Sequence, residues 1–242
     1  MLTLMECPWE RLSLFFPVYN EAAALVPLLD KAEAVLDGFG LKDYEIIVVD
    51  DGSTDSTPQL LIEYMRLHPK VRAITHEQNR GYGAALVSGI GAARFEWLAY
   101  SDGDGQFDVS DLARFFAPST KSDVVLGYRR RRSDHIGRRI NATLWGMAVW
   151  LILGLEVKDV DCGFKLFKTQ RLRELGVLKA RGAVISAEIL TRLRAADVTW
   201  QEVAVEHYER QGGSPTGARL RVIARALHEL WWLRRYERHG RH

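Results

Sequence analysis

Cysteine is scarce in this chain. The two in its 242 residues, Cys7 and Cys162, are far apart and belong to no metal-like spacing. A disulfide framework is therefore not what organises the molecule, and a reduced cytosolic setting is the default. Long apolar runs are also missing: the longest, Met147–Leu155, is well short of the roughly 20 residues that span a bilayer. The opening MLTLMECPWERL has an acidic residue and a proline where a signal peptide would carry a basic region and an apolar one. A soluble or peripheral protein is expected, at the cytoplasmic face of a membrane if peripheral. Internal repeats, low-complexity linkers and a clear domain boundary are all lacking, so one domain over residues 1–242 is expected. Net charge is nearly absent as well, at +2.

That small net charge conceals local excess. Arg129–Arg132, Arg138 and Arg139 lie together, and Arg219–Arg241 holds seven arginines and no lysine. Basicity this local implies an anionic ligand or surface and not a nucleic-acid coat. Hydrophobic residues make up 47% of the chain, ample for a core.

The most informative stretch is Trp97–Asp108, WLAYSDGDGQFD, in which an apolar run of strand character ends in Asp102 and Asp104. Residues two apart in an extended segment point the same way, so the two carboxylates can converge just past the strand end. Paired carboxylates suit a hard divalent ion, Mg2+ or Mn2+, which keeps open positions for substrate phosphates. Aspartate and glycine are also common in turns after strands, and the stretch alone leaves both readings open.

Elsewhere strands alternate with helices. Leu12–Phe16 reads as a buried strand stopped by Pro17, and Asn20 as the cap of a helix to about Leu36 with Glu21 in its first turn. Tyr44–Val49 is a second strand, ending in Asp50 and Asp51. Pro58 opens a helix to about Leu67, and Val71–Thr75 is a third strand. A small-residue helix at Gly83–Ala93, the Trp97–Ser101 strand, a helix near Val109–Phe116 and a strand at Val124–Gly127 complete this half. The second half reads as a helix of about Arg139–Leu153, the segment Asp161–Phe167, helices at Gln170–Leu175 and Ser186–Ala196, and a strand at Trp200–Glu206. The loop Gln211–Gly217 and a basic amphipathic helix at Leu220–Tyr236 follow. This order predicts an α/β fold with a mostly parallel central sheet flanked by helices. Ligands of such sheets bind outside the carboxyl ends of the strands, where both acidic clusters fall.

Five motifs occur in one order at domain-scale spacing: PVYNE at Pro17–Glu21, VVDDGSTD at Val48–Asp55, NRGYGAAL at Asn79–Leu86, SDGDGQ at Ser101–Gln106 and DCGFKLF at Asp161–Phe167. In this the chain resembles the family 2 glycosyltransferases, most closely the polyprenyl-phosphate sugar synthases, over roughly Leu12 to Gly217. The resemblance implies a GT-A type, Rossmann-like domain that binds a nucleoside diphosphate sugar and a divalent ion. The nucleotide-sugar half would be about 10–127 and the acceptor half about 128–217. By the same resemblance Pro17, Tyr19, Glu21, Val48 and Asp50 match nucleotide-binding positions. Asp102, Gly103 and Asp104 match the metal and diphosphate element, Gly103 standing where many relatives have alanine. Gln106 is placed to hydrogen-bond the sugar or diphosphate, and Arg129 matches a phosphate-binding arginine, whose fork suits a phosphate.

The acceptor decides the subclass. A hydroxyl acceptor needs a general base, whereas a phosphate monoester is already largely ionised at neutral pH and needs cations. Arg129, Arg138, Arg139 and Arg210, with Ser214, are available for the latter and favour a polyprenyl phosphate acceptor, with inversion implied by the family. Asp161 orients an arginine or serves as the base for a hydroxyl acceptor, and Glu188 carries the same ambiguity. Pro215 stands where relatives commonly have Lys or Arg. Trp145, Met147, Val149, Trp150 and Leu151 in one apolar helix, with Trp231 among the terminal arginines, fit a membrane-surface contact; packing of both helices on the core is the alternative. A soluble hydroxyl acceptor and a non-catalytic nucleotide-binding relative are the competing functions.

Overall fold

In the computed structural model, residues 6–130, 136–180, 182, 184–209 and 229–235 are described, with the backbone alone at 136–142. Strand β1 (Arg11–Val18) and strand β2 (Asp43–Asp50) are buried at every position after the first. Such uninterrupted apolar strands form where helices cover both faces of a sheet. Strands β3 (Val71–Thr75), β4 (Trp97–Tyr100), β5 (Val124–Arg129), β6 (Lys165–Lys168) and β7 (Gln201–Val205) complete one seven-stranded sheet, ordered β3-β2-β1-β4-β6-β5-β7. Pairing is parallel except on both sides of β6, which runs against its neighbours β4 and β5. One sheet therefore takes strands from both halves of the sequence, and the expected α/β, mostly parallel architecture is present.

Side-chain alternation splits the core in two. Leu12, Leu14, Phe16 and Val18 join Ile46 and Val48 on one face, under α1 (Ala22–Asp37) and α2 (Thr57–Met65). Phe15, Ile47, Val49, Leu98 and Tyr100 face the other way, toward α3 (Tyr82–Ala92), α5 (Ile136–Leu153) and α7 (Val184–Ala195). Helix α3 packs closely because Gly89 has no side chain: a Cβ there would lie 2.4 Å from the Phe15 ring. A 3-10 helix at Val109–Phe115 runs into the short α4 (Phe116–Ser119), and α6 (Thr169–Arg173) follows β6.

The differences from the sequence reading have local causes. Strand β1 does not stop at Pro17 but continues to Val18, pairing Pro17 with Val49. Pairing of β4 with β1 ends at Tyr100 and Phe15, and the Pro17 carbonyl accepts from Gly103 beyond it. The N–H that proline lacks falls on that same side, where the ladder has ended, so its loss is tolerated. Asn20 does not cap α1. Glu21 holds that position, while Asn20 sits at φ 56 and its side-chain oxygen accepts from the Thr54 N–H at 2.7 Å and the Asp55 N–H at 3.3 Å. The β1–α1 and β2–α2 loops are thus fastened together. The region near Val109 is 3-10 where an α-helix is expected; Asp108 caps it by accepting from Ser110.

The candidate active site

Sheet order reverses at β1, which sends its chain first to β2 on one side while β4 returns on the other. The crevice at the carboxyl ends of β1, β2 and β4 is therefore the topological switch point. Asp50 closes β2 there and is fully buried. One of its carboxylate oxygens accepts from the Ser53 N–H at 2.9 Å, and the other, Oδ2, is buried with no hydrogen-bond partner. A buried carboxylate oxygen without a donor is costly, which marks a place where a ligand donor is wanted. Tyr19 lies 40% exposed just past β1, and Glu21, at the α1 cap, donates its N–H to Thr57 Oγ1 at 3.0 Å. Val48 is wholly inside the core. The loops carrying Tyr19, Glu21 and Asp50 are neighbours; the Val48 side chain is packing.

Asp51, by contrast, is spent on structure. Its carboxylate lies 2.6 Å from His76 Nδ1 and accepts from the N–H groups of Arg80 at 2.9 Å and Gly81 at 2.8 Å. Glycine is required at two positions around it. Gly52 has φ +73 and would place a Cβ 2.5 Å from the Gln78 backbone, and Gly81 has φ +94.

Asp102 and Asp104 follow β4 as the alternation argument requires. The Asp102 N–H donates to the Gly163 carbonyl at 3.1 Å, and its Oδ1 accepts from the Tyr82 hydroxyl at 2.8 Å. A Cβ on Gly163 would fall 2.1 Å from an Asp102 carboxylate oxygen, so glycine there leaves room for the carboxylate. Loss of solvent, and then the neighbouring Asp104 charge, push the Asp102 pKa up to about 6. Asp104 Oδ1 accepts from the Gln106 N–H at 3.1 Å. Gly103 is more constrained than a loose spacer: a Cβ would meet Val18 Cγ1 at 2.4 Å and the Pro17 carbonyl at 2.7 Å. Gln106 donates its side-chain amide to the Tyr208 carbonyl at 2.9 Å, tying this loop to the segment after β7.

On the far side, β6 supplies what the sequence reading missed. Its first residue, Lys165, is buried beside the acidic groups and donates to the Cys162 carbonyl. Burial alone would depress its pKa, yet Tyr100, Cys162, Asp159 and Asp161 around it raise it. Burial pushes the Cys162 thiol up to about 12. Arg129, at the end of β5, places Nε and one terminal nitrogen 2.7 and 2.9 Å from the two carboxylate oxygens of Asp159. Its fork is thus occupied by a carboxylate, so a phosphate would meet an arginine already oriented by Asp159. Asp161 has a raised pKa from burial, opposed by Lys165 and Arg129. Neither Tyr82 nor Lys165 carries a sequence signal beyond its place in NRGYGAAL and DCGFKLF, because a tyrosine and a lysine are ordinary residues until the fold sets them beside a carboxylate.

Other expected residues lie elsewhere. Glu188 is buried in α7 and accepts from the N–H groups of Lys179 and Ala180, with Arg192 2.5 Å away, so it holds the preceding connection and an arginine. Arg139 belongs to α5, whose side chains there are outside the described residues; Arg131, Arg132, Arg210, Ser214, Pro215, Arg219 and most of the Leu220–Tyr236 helix lie outside them altogether. Residues 229–235 are helical. A cavity of about 600 Å³ lies between this segment, α7 and the Asn79–Tyr82 loop, with Arg80 and Lys179 among its polar lining and Val184, Trp232 and Leu233 among its apolar lining. Tyr82 separates it from Asp102.

The donor set fits a hard divalent cation. Asp102 and Asp104 set two carboxylates on one loop at the switch point, where burial and then the Asp104 charge raise the Asp102 pKa. Among the described residues no third His, Cys, Asp or Glu joins them in a metal-binding group, so oxygens of a substrate would complete the coordination.

A Rossmann-like, mostly parallel sheet with a paired-carboxylate loop at its switch point defines the class as a GT-A type α/β protein. Of the solved structures, glucosyl-3-phosphoglycerate synthase from Mycobacterium tuberculosis, crystallised with Mn2+, uridine diphosphate and glucosyl-3-phosphoglycerate, superposes with a TM-score of 0.68 at 19% identity, over 96% of this chain and 80% of that one. The model of Glycosyl transferase family 2 matches residues 13–176; the chain belongs to this family and is a glycosyltransferase. It is 32% identical over 220 residues to a dolichyl-phosphate beta-glucosyltransferase of Dictyostelium discoideum, covering 83% of this chain and 67% of the relative. A dodecaprenyl-phosphate galacturonate synthase of Rhizobium johnstonii is 28% identical over 236 residues, covering 95% and 69%.

Proposed function

We propose that this chain transfers a sugar, with inversion, from a nucleoside diphosphate sugar to a polyprenyl phosphate, with Mg2+ or Mn2+ held by Asp102 and Asp104. The observation that carries the proposal is the carboxylate pair at the end of β4, in which burial and the neighbouring Asp104 charge raise the Asp102 pKa to about 6. The names of the relatives supply the acceptor class. The bound ion would neutralise charge developing on the departing diphosphate. Asp50, through the orphaned Oδ2, accepts from a base or ribose donor, with Pro17, Tyr19 and Glu21 shaping the wall beside it. Tyr82 fixes the Asp102 rotamer, and Gly103 lets the loop lie against β1. Gln106 braces the same loop against Tyr208. Arg129, oriented by Asp159, and buried Lys165 keep positive potential where phosphate groups gather.

An acceptor phosphate needs no base, since its second pKa is near 6. The amphipathic cavity beside Tyr82 is lined by Arg80 and Lys179, by the carboxylates of Glu188 and Glu229, and by apolar Trp232 and Leu233; Arg80 and Lys179 would meet an anionic head and Trp232 and Leu233 an apolar tail. Arg139, Arg210 and Ser214 remain candidates for the same phosphate on sequence grounds. On α5, Leu144, Met147, Trp150 and Leu151 are each more than half exposed, as is Trp231. No helix among the described residues is long and apolar enough to cross a membrane. A peripheral contact of this face with the cytoplasmic side of a membrane accounts for that exposure.

One observation favours a second reading: the raised pKa of Asp161 suits a general base for a hydroxyl acceptor. Incubation with radiolabelled UDP- or GDP-sugars, Mn2+ and polyprenyl phosphates separates the two. An organic-extractable, mild-acid-labile product is expected. Transfer only to water-soluble acceptors, with every polyprenyl phosphate inert, would establish the hydroxyl reading instead.

A further inference from the structure

Behind the Asn79–Tyr82 loop lies a buried chain of polar groups that the proposed transfer does not use. Ser88 on α3 meets His76 Nε2 at 2.8 Å, and His76 Nδ1 meets Asp51 Oδ1 at 2.6 Å. Asp51 in turn accepts the Arg80 and Gly81 amides at 2.9 and 2.8 Å, and the next residue, Tyr82, donates to Asp102 at 2.8 Å. His76 and Asp51 are both buried, His76 directly after β3 and Asp51 directly after β2. The His76 N–H also extends the ladder to the Asp50 carbonyl at 2.9 Å.

We infer that Asp51 and His76 are positioning residues that, through the Arg80–Gly81 backbone, fix Tyr82 against the carboxylate of Asp102. This rests on the metal reading of Asp102 given above. The physical reason is that Asp51 has to accept three donors with two oxygens, and only a fixed imidazole aligns its carboxylate for both amides. Gly81 at φ +94 has little intrinsic preference for that conformation, so the loop relies on these bonds to hold it. If the loop relaxes, Tyr82 leaves Asp102, whose carboxylate then loses its rotamer. Ser88 sets the imidazole from the other side and ties α3 to the same point.

The imidazole can be dissected with amides, because asparagine mimics Nδ1 and glutamine mimics Nε2. His76→Asn keeps a donor to Asp51, whereas His76→Gln keeps only the contact with Ser88. Mn2+ binding to the full chain, read from the free-ion paramagnetic resonance signal, is expected to weaken about three- to tenfold in His76→Gln, as one hydrogen bond of ordinary net strength implies. His76→Asn should stay near the unmodified protein, and His76→Gln with Tyr82→Phe should bind no more weakly than Tyr82→Phe alone. Equal losses in the two His76 variants, or additive losses in the double variant, would overturn the inference, since both mean that the histidine contributes only to packing. If the unmodified protein binds no Mn2+, the metal reading fails. The brace is then judged by the fluorine resonance of fluorotyrosine at position 82, which His76→Gln should move and His76→Asn should not. A resonance moved alike by both variants also overturns it.

Discussion

Asp102 works against water and against its neighbour. With its folded pKa raised to about 6 from 3.8, the folded chain keeps a proton over that window that the unfolded chain has released. Stability from this group is therefore full below pH 4 and falls as pH rises to about 6. Melting of the metal-free protein should show this: Asp102→Asn, which stays neutral, should gain on the unmodified chain by about 1–3 kcal/mol between pH 4 and pH 7. A constant difference across that range would contradict it. With Asp102 holding the ion as proposed, Mn2+ and the proton would compete for the same carboxylate, so apparent Mn2+ affinity should drop as pH falls through about 6. Gly103 tests the same loop sterically. Alanine there meets the Pro17 carbonyl at 2.7 Å and Val18, and overpacking of this sort costs about 1–3 kcal/mol. Gly103→Ala is expected to melt lower and to bind Mn2+ more weakly.

Helices and strands reach the site only because they can approach one another. Helix α3 carries Tyr82 at its start and meets β1 at Gly89, where a Cβ would enter the Phe15 ring. Gly89→Ala should lower stability by about 1–3 kcal/mol and disturb Tyr82 at the far end of the same helix; an unchanged melting temperature would count against this packing. Strand β5 depends on a different device. Its last residue, Arg129, is tied to Asp159 by two charge-assisted bonds with both side chains largely buried. Asp159→Ala leaves the guanidinium without its partner at a cost of about 3 kcal/mol, measurable by denaturant unfolding. The strand period and the small residues of α3 were legible in the sequence, since they repeat locally. The reversed direction of β6 was not, because four residues of strand give no sign of orientation before their neighbours are known.

At the scale of the whole molecule, the exposed apolar residues of α5 and of residues 229–235 predict association with lipid. Flotation with vesicles containing anionic lipid should recover the protein in the lipid fraction, less so at high salt, and Trp150→Asp should reduce the recovery several-fold. Recovery unchanged by both salt and Trp150→Asp would remove the α5 face from the contact.

By itself the sequence determined the alternation of strands and helices, the carboxylate pair after β4 and the local excess of arginine. Periodicity, motif spacing and charge are properties of neighbours along the chain, and those need no third dimension. Only the tertiary structure decided which polar residues are consumed by architecture and which keep hydrogen-bonding capacity at the switch point. Asp50 and Asp51 are adjacent in sequence and look alike there, yet one keeps an unpartnered buried oxygen at the switch point while the other is consumed by His76 and two amides. Glu188 turned out to hold backbone, and Lys165 and Tyr82, ordinary in sequence, came to flank Asp102 and Asp161. The reason is physical: a side chain's role is set by what surrounds it, and in a parallel sheet those surroundings come from strands distant in sequence.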